Sequence, residues 1–204
     1  MNPPSADPRA RTASAKADLV ERARAGDHGA FSILAQDAIG RVYGAAKLIL
    51  RDQDRAEDAV QEALLLAWRH VKAIRDPDAW DSWLYQLTVR ACYRLASSPA
   101  GRQVAQLDVS EEGPSATRLT EPDFAGAIAE RERIMAALTA LPLEQRAVVV
   151  LHFYLDLPLT RAAVILDVPA GTAKSRLHRA LEALRASLGE EPEVVATAMR
   201  ERPA

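Results

Sequence analysis

The chain has 204 residues, 49% of them hydrophobic, 26% charged and only 5% aromatic, with a net charge of −2. That length allows one medium domain or two small ones, and the balance excludes collagen-like, mucin-like and wholly disordered chains. A single cysteine, Cys92, rules out an internal disulfide and a cysteine-based zinc site. Abundant Ala, Leu, Arg and Glu favour helix, since the β-branched and aromatic residues that favour strands are scarce. No run reaches the roughly 18 to 20 apolar residues of a membrane span, and residues 1–16 lack the apolar core of a signal peptide, so a cytoplasmic location is expected.

Residues 1–18 hold three prolines, small residues and mixed charges without apolar periodicity, and are expected to be a disordered tail. Helical periodicity then fills a first unit, residues 19–97: Phe31, Leu34 and Ala38 step round one face, and Val42, Ala45, Ala46 and Ile49 continue it. The run D-Q-D-R-A-E-D-A-V-Q-E from Asp52 to Glu62 places Ala56, Val60, Leu64 and Ala67 toward a core. It lines up Asp54, Asp58 and Glu62 on another side at four-residue steps, with Glu57 and Gln61 beside them. Helix capping, with an Asp54 and Glu57 pair, accounts for the first acids but not for Gln61 and Glu62 two turns in. An EF-hand loop fails because Glu57 stands where the glycine belongs and Ala56 replaces a ligand. No Ser/His/Asp set, phosphate loop or metal cluster accompanies the acids, so no catalytic residue, cofactor or metal is expected. Downstream, the spacing of Trp80, Trp83 and Leu84 reads as core, and Cys92 as a small core residue.

Residues 98–126 form a linker rich in Ser, Gly and Pro, where Arg102 and Arg118 face Asp108, Glu111, Glu112, Glu121 and Asp123, a local balance of −3. Helical periodicity returns over a second unit, residues 127–188, with eight basic against six acidic residues. The apolar run from Val148 to Leu151 suits a buried strand or a helix. Pro142 at a first turn and the length of the surrounding pattern favour helix, with Val148, Leu151 and Leu155 inward.

From Leu159 to Leu184 the pattern splits into two helices. Ala162, Ala163, Ile165 and Leu166 lie on the first, and the joint is Asp167-Val168-Pro169, with Asp167 suited to a left-handed conformation. In the second helix Ala173, Leu177, Ala180, Leu181, Leu184 and Leu188 make the apolar stripe, leaving Lys174, Ser175, His178 and Arg179 on the opposite face. This is a helix-turn-helix whose exposed front carries cations and donors suited to phosphates and guanine edges. The competing reading, an ordinary solvated basic helix, is outweighed by the preceding helix, the turn length and the V-P-x-G-T lead-in. The remainder, residues 189–204, is an acidic tail.

Pro169 to Ala180, P-A-G-T-A-K-S-R-L-H-R-A, resembles the recognition helix of region 4 in extracytoplasmic-function sigma factors. Leu138 to Arg146 is similar to the L-x-x-L-P-x-x-Q-R opening of that region, the Asp52 to Glu62 run resembles region 2, and D-A-W-D-S-W-L-Y from Asp78 resembles the family's F-x-x-W-L-Y motif. The resemblance implies an all-α fold of two small helical domains, a region 2 bundle and a region 4 helix-turn-helix, joined by a flexible acidic linker. It implies an alternative bacterial sigma factor that directs promoter-specific initiation and helps promoter melting. The implied partners are core RNA polymerase, through the β′ clamp helices and the β flap, promoter DNA, and an anti-sigma factor. Asp58, Gln61, Glu62 and Leu65 become the candidate polymerase contacts. Arg75, Asp76, Arg90, Tyr93 and Arg94 become candidates for the minus-ten element. Thr172 and Arg176 join Lys174, Ser175, His178 and Arg179 as candidates for the minus-35 element. The linker is expected in the polymerase's RNA exit path, where its negative charge suits a channel lined for RNA, and that accounts for the chain's net acidity. A dimeric helix-turn-helix regulator is the main rival and predicts tight, salt-dependent binding of the isolated chain to a palindrome. An anti-sigma-like adaptor is a second rival and predicts no DNA contact.

Overall fold

The structure, a computed structural model, describes residues 8–98 and 122–188, with side chains over 14–98 and 130–188. The described residues are all helical or turn, in two groups, without a strand. Four helices form the amino-terminal group: α1 (Pro8–Arg24), α2 (His28–Leu50), α3 (Gln53–His70) and α4 (Trp80–Ser97), with short 3₁₀ turns at Val71–Ala73 and Pro77–Ala79. Four more make the carboxy-terminal group: α5 (Pro122–Ala140), α6 (Leu143–Val149), α7 (Leu159–Ile165) and α8 (Ala170–Leu188), with a π turn at Val150–Tyr154.

Aspartates punctuate the first group. Asp27 starts α2 by accepting the amide of Ala30 at 3.0 Å, and Asp52 starts α3 by accepting that of Arg55 at 2.9 Å. Each satisfies an amide that lacks a partner inside its helix. Asp52, not Asp54, is therefore the cap, and the expected Asp54 and Glu57 pair gives way to a 3.5 Å contact from Gln53 to Glu57. Arg51, left-handed at φ 64°, ends α2 one residue earlier, so α2 and α3 form a tight antiparallel hairpin. Leu34, Ala38, Val42, Ala45, Ala46 and Ile49 of α2 are buried against Ala56, Ala59, Val60, Ala63 and Ala67 of α3. Trp80, fully buried, meets Phe31 edge-on at 5.8 Å and Trp83 at 6.0 Å. Leu84 is equally buried, whereas Trp83 is half-buried. Burying a side chain of that kind contributes about 1.5–3 kcal/mol.

The expected amino-terminal tail is corrected from Pro8 onward, where α1 already begins. Residues 9–17 are rich in Ala with two Arg and one Lys, good helix formers, and they run on into the buried Val20 and Ala23. The apolar pattern missed this segment because its anchor is ionic: Lys16 reaches Asp81 of α4 at 2.9 Å and Asp37 of α2 at 3.1 Å. Residues 1–7, the linker over 99–121 and the tail from 189 lie outside the described residues, and α5 already covers 122–126 of the expected linker.

In the second group Val148, Val149, Val150 and Leu151 are all fully buried, so the apolar run is a helix enclosed on every side rather than one inward face. Pro142 sits one place before the first turn, its carbonyl accepting the amides of Gln145 and Arg146 at 3.0 and 2.9 Å. Pro158 does the same for α7. Asp167 is left-handed at φ 56°, as its place in the helix-turn-helix joint predicts. Arg133 ties α5 to the end of α8 through the Leu188 carbonyl at 2.9 Å. Ile134, Leu138, Leu141, Val149, Ala180, Leu184 and Leu188 make one core, while Val148, Leu151, Ile165, Leu166 and Ala173 belong to the core of α1–α4. The two groups are thus separate in sequence but share apolar interior.

Candidate functional site

Three surfaces hold the residues singled out by sequence. On α3, Asp58, Gln61 and Leu65 recur at helical spacing and are exposed, Leu65 at 57% although it is a leucine. Glu62 is half-buried and turned toward α4, where its carboxylate pairs with Arg94 at 2.7 Å. A shallow groove of about 440 Å³ runs alongside, lined by Gln61, Leu64 and Leu65 of α3 with His28, Phe31 and Ser32 of α2 and Trp68. Trp68 lies tilted against His28 at 4.2 Å and meets Phe31 edge-on at 5.0 Å. The α2 residues were missed in sequence, although a signal exists: a hairpin with so short a turn brings the start of α2 beside the end of α3.

On α4 and the turn before it, Arg75 and Asp76 are exposed, but Asp76 is occupied with the backbone, accepting the amide of Asp78 at 3.0 Å. Arg90 and Arg94 are exposed one turn apart. Tyr93, between them, is half-buried with its hydroxyl enclosed and without a hydrogen-bond partner. Burial pushes its phenol up to about 12 against the opposing pull of the nearby Arg176 guanidinium. Cys92 is fully buried in the core, and its thiol is pushed up to about 12 by that burial, which keeps it neutral and unreactive.

On α8, Lys174, His178 and Arg179 are exposed. His178 lies 3.4 Å from Glu182, one turn on, a pair that is ionic only when the imidazole is protonated. Ser175 is half-buried and its hydroxyl donates to the Thr172 carbonyl at 3.0 Å, so it is turned back onto its own helix. Thr172 is also half-buried. Arg176 is not on the front with Lys174: it is half-buried on the side that faces Tyr93. The six residues proposed as one surface therefore divide into an outward trio, Lys174, His178 and Arg179, and a half-buried flank. Arg146, from the Q-R pair that opens this unit, is buried and donates to the Thr139 carbonyl at 3.3 Å, a joint between α5 and α6.

Among the described residues no group of three or more His, Cys, Asp or Glu is placed to hold a metal ion, and no helix is long and apolar enough to cross a membrane.

Comparison with known proteins matches two stretches of the chain to named regions. Residues 34–100 match the family model of sigma-70 region 2, which spans α3 and α4, and residues 131–184 match that of sigma-70 region 4, which spans the helix-turn-helix. The ECF RNA polymerase sigma factor SigM of Mycobacterium tuberculosis is 33% identical over 173 residues, covering 85% of this chain and 84% of SigM. The ECF RNA polymerase sigma-E factor of Escherichia coli is 30% identical over 178 residues, covering 81% of this chain and 90% of that protein. In fold the chain is similar to CnrH in complex with the cytosolic domain of CnrY, at a TM-score of 0.62 and 21% identity over 86% of this chain and 97% of that one. It is also similar to the sigma factor RpoE of Bartonella quintana in complex with the anti-sigma factor NepR, at a TM-score of 0.57 and 23% identity over 76% and 96%. With both regions present in order and relatives matched along most of their length, the chain belongs to the extracytoplasmic-function family of RNA polymerase sigma factors.

Proposed function

We propose that this alternative sigma factor docks on core RNA polymerase through α3 and reads its promoter through α4 and α8. The chain directs transcription initiation, as its family does. Asp58, Gln61 and Leu65 meet the clamp helices of β′, with Glu62 bracing the contact through Arg94, and the second unit rests on the β flap. An exposed leucine flanked by acid and amide suits a helical partner that offers both an apolar strip and cations. Arg75, Asp76, Arg90, Tyr93 and Arg94 serve the minus-ten element, the arginines on phosphates and the tyrosine as a stacking surface for an unpaired base. Lys174, His178 and Arg179 enter the major groove at the minus-35 element, with Thr172, Ser175 and Arg176 at the flank. The linker runs in the RNA exit path, the site of action is the cytoplasm, and an anti-sigma factor restrains the chain as NepR accompanies RpoE.

The observation that carries this reading is the exposed trio of α8, mounted on a turn whose left-handed Asp167 sets one helix across the other. A merely solvated helix has no need of that joint. The testing experiment is transcription with purified core polymerase and this protein over fragmented genomic DNA, mapping RNA 5′ ends. Discrete starts sharing two spaced upstream elements are expected. Starts without a shared pair, or tight binding of a palindrome by a dimer without polymerase, would transfer the helix-turn-helix to a conventional regulator.

A further inference from the structure

The connection between α3 and α4 carries two of the residues proposed for the minus-ten element, Arg75 and Asp76, and its two halves are anchored differently. The first half is held by apolar burial, since Val71 and Ile74 belong to the core of α1–α4. From Arg75 to Ala79 no side chain is buried, and the next buried residue is Trp80 at the start of α4. Within this second half the Asp76 carboxylate accepts the Asp78 amide at 3.0 Å, and the Ala79 amide donates to the Asp76 carbonyl at 3.0 Å. Those bonds set the shape of the turn but not its place on the molecule.

Its place is set from outside. α1 lies against both 3₁₀ turns, Val71–Ala73 and Pro77–Ala79, as well as against α2. Toward its end α1 is fixed by the fully buried Val20 and Ala23, and one turn earlier by Lys16. The Lys16 ammonium donates to both carboxylate oxygens of Asp81 at 2.9 Å and to one oxygen of Asp37 at 3.1 Å. Arg41 of α2 approaches the same two carboxylates, at 3.3 Å from Asp37 and 3.7 Å from Asp81. Two cations thus alternate with two anions across α1, α2 and α4. Asp81 comes two residues after Ala79, in the first turn of α4. The network therefore grips the chain where the unanchored half of the connection passes into the helix that carries Arg90, Tyr93 and Arg94.

An acid in the first turn of a helix complements the helix dipole, which accounts for Asp81 alone. It does not account for a lysine that reaches it from 65 residues away. Lys16 and Asp81 are 24% and 35% exposed, and pairs so open to water add little to overall stability. What such a network does supply is geometry, and a functional group carried on a loop needs neighbours that hold it in a productive place. We propose that Lys16 is a positioning residue for promoter melting. By holding Asp81 it fixes the turn from Arg75 to Ala79 relative to α4, so that Arg75 and Asp76 meet the same stretch of the minus-ten element as Arg90, Tyr93 and Arg94. α1, which precedes the stretch matched to region 2, thereby belongs to the promoter-reading apparatus. The inference rests on the assignment of this turn and α4 to the minus-ten element.

The test uses the full chain with core polymerase on a promoter mapped with the natural protein. Lys16→Met removes the charge while keeping length and helix propensity, so the variant is expected to fold, and Lys16→Arg restores a cation. Asp37→Asn weakens the arm that joins α1 to α2 and leaves the pair with Asp81 in place. Fluorescence of 2-aminopurine in the minus-ten element reports base opening. Start-site usage across variants of each element reports reading, and competition with a second sigma factor reports polymerase capture. Lys16→Met should lower base opening and flatten the minus-ten profile about threefold, the scale of one partly exposed ion pair. The minus-35 profile and polymerase capture should stay unchanged, Lys16→Arg should restore the loss, and Asp37→Asn should behave as the natural chain. A merely structural role would lower every readout together. Equal losses at both elements and in capture therefore overturn the positioning role, as does a loss that arginine leaves unrepaired or that Asp37→Asn reproduces. Arg90→Ala separates the pin from the assignment beneath it. If Arg90→Ala flattens the minus-ten profile and Lys16→Met does not, the pin alone falls. If neither flattens it, the minus-ten assignment of α4 falls and takes the pin with it.

Discussion

The two helical groups are built on different principles. The amino-terminal group has three helices of 23, 18 and 18 residues after α1, side-chain caps at Asp27 and Asp52, and an aromatic centre at Trp80. In the carboxy-terminal group α6 and α7 have only seven residues each, start at prolines without a side-chain cap, and place most of their apolar residues in the neighbour's core. Helices of two turns are unstable alone, so their order comes from tertiary burial. The lesson is that a strong local signature, as at the helix-turn-helix, does not imply independent stability. The helix proposed to read the promoter is supported partly by the group proposed to carry the polymerase contacts.

The largest expected effect would break that comparison directly. All three tryptophans, at 68, 80 and 83, are in the first group, whereas Leu151 is in the second and fully buried. Leu151→Ala should cost about 2–5 kcal/mol. Because the core is shared, tryptophan fluorescence and far-UV circular dichroism should both shift to lower urea by the same amount. A fluorescence midpoint that stays put while the dichroism shifts would show two independent cores.

Function divides along the same line. Arg179→Ala should remove about 1–3 kcal/mol of discrimination at the minus-35 element, read as a flatter profile of start-site usage across variants of that element. Glu62→Ala frees Arg94 from its 2.7 Å pair and should weaken polymerase capture in a competition with a second sigma factor, leaving the promoter profile unchanged. If each change moved both readouts equally, the separation of tasks between the groups would fail.

Legibility in the sequence followed the kind of force at work. Where burial sets the structure, periodicity was enough: Leu34, Ala38, Val42 and Ile49 of α2 and Ala173, Ala180 and Leu184 of α8 are inward as their spacing predicts. Where a backbone angle sets it, residue chemistry was enough, as at Asp167. Ionic anchoring leaves no period, so Lys16 and with it α1 were passed over. Contact between distant segments leaves none either. The resemblance groups Arg176 with Lys174, although residues two apart on a helix point to different sides and Arg176 is the one turned toward Tyr93, and nothing local announces that Gly44 receives Tyr154. Which candidates are exposed and which are half-buried is read only from the packing.

A smaller effect concerns the caps. Asp52→Ala deletes the acceptor for the Arg55 amide and should cost about 1 kcal/mol, read as a shift of the urea midpoint. Asp54→Ala, in the same first turn but without the capping role, should cost only a few tenths of a kcal/mol through the helix dipole. Equal losses would mean that charge near the helix start, rather than the side-chain hydrogen bond, does the capping.

The smallest effect at neutral pH belongs to Tyr93→Phe. Deleting a buried hydroxyl that has no partner should stabilise the chain by up to about 1 kcal/mol. The alkaline limb gives the sign independently. An unfolded tyrosine ionises near 10, while burial holds Tyr93 up to about 12, so the unfolded chain releases its proton first. The stabilisation is complete below pH 10 and is lost as pH rises through that window. The natural chain should therefore fall away from Tyr93→Phe between pH 10 and 12, whereas Cys92, common to both, cancels from the difference. Equal alkaline limbs for the two chains would mean that burial does not hold the proton on Tyr93.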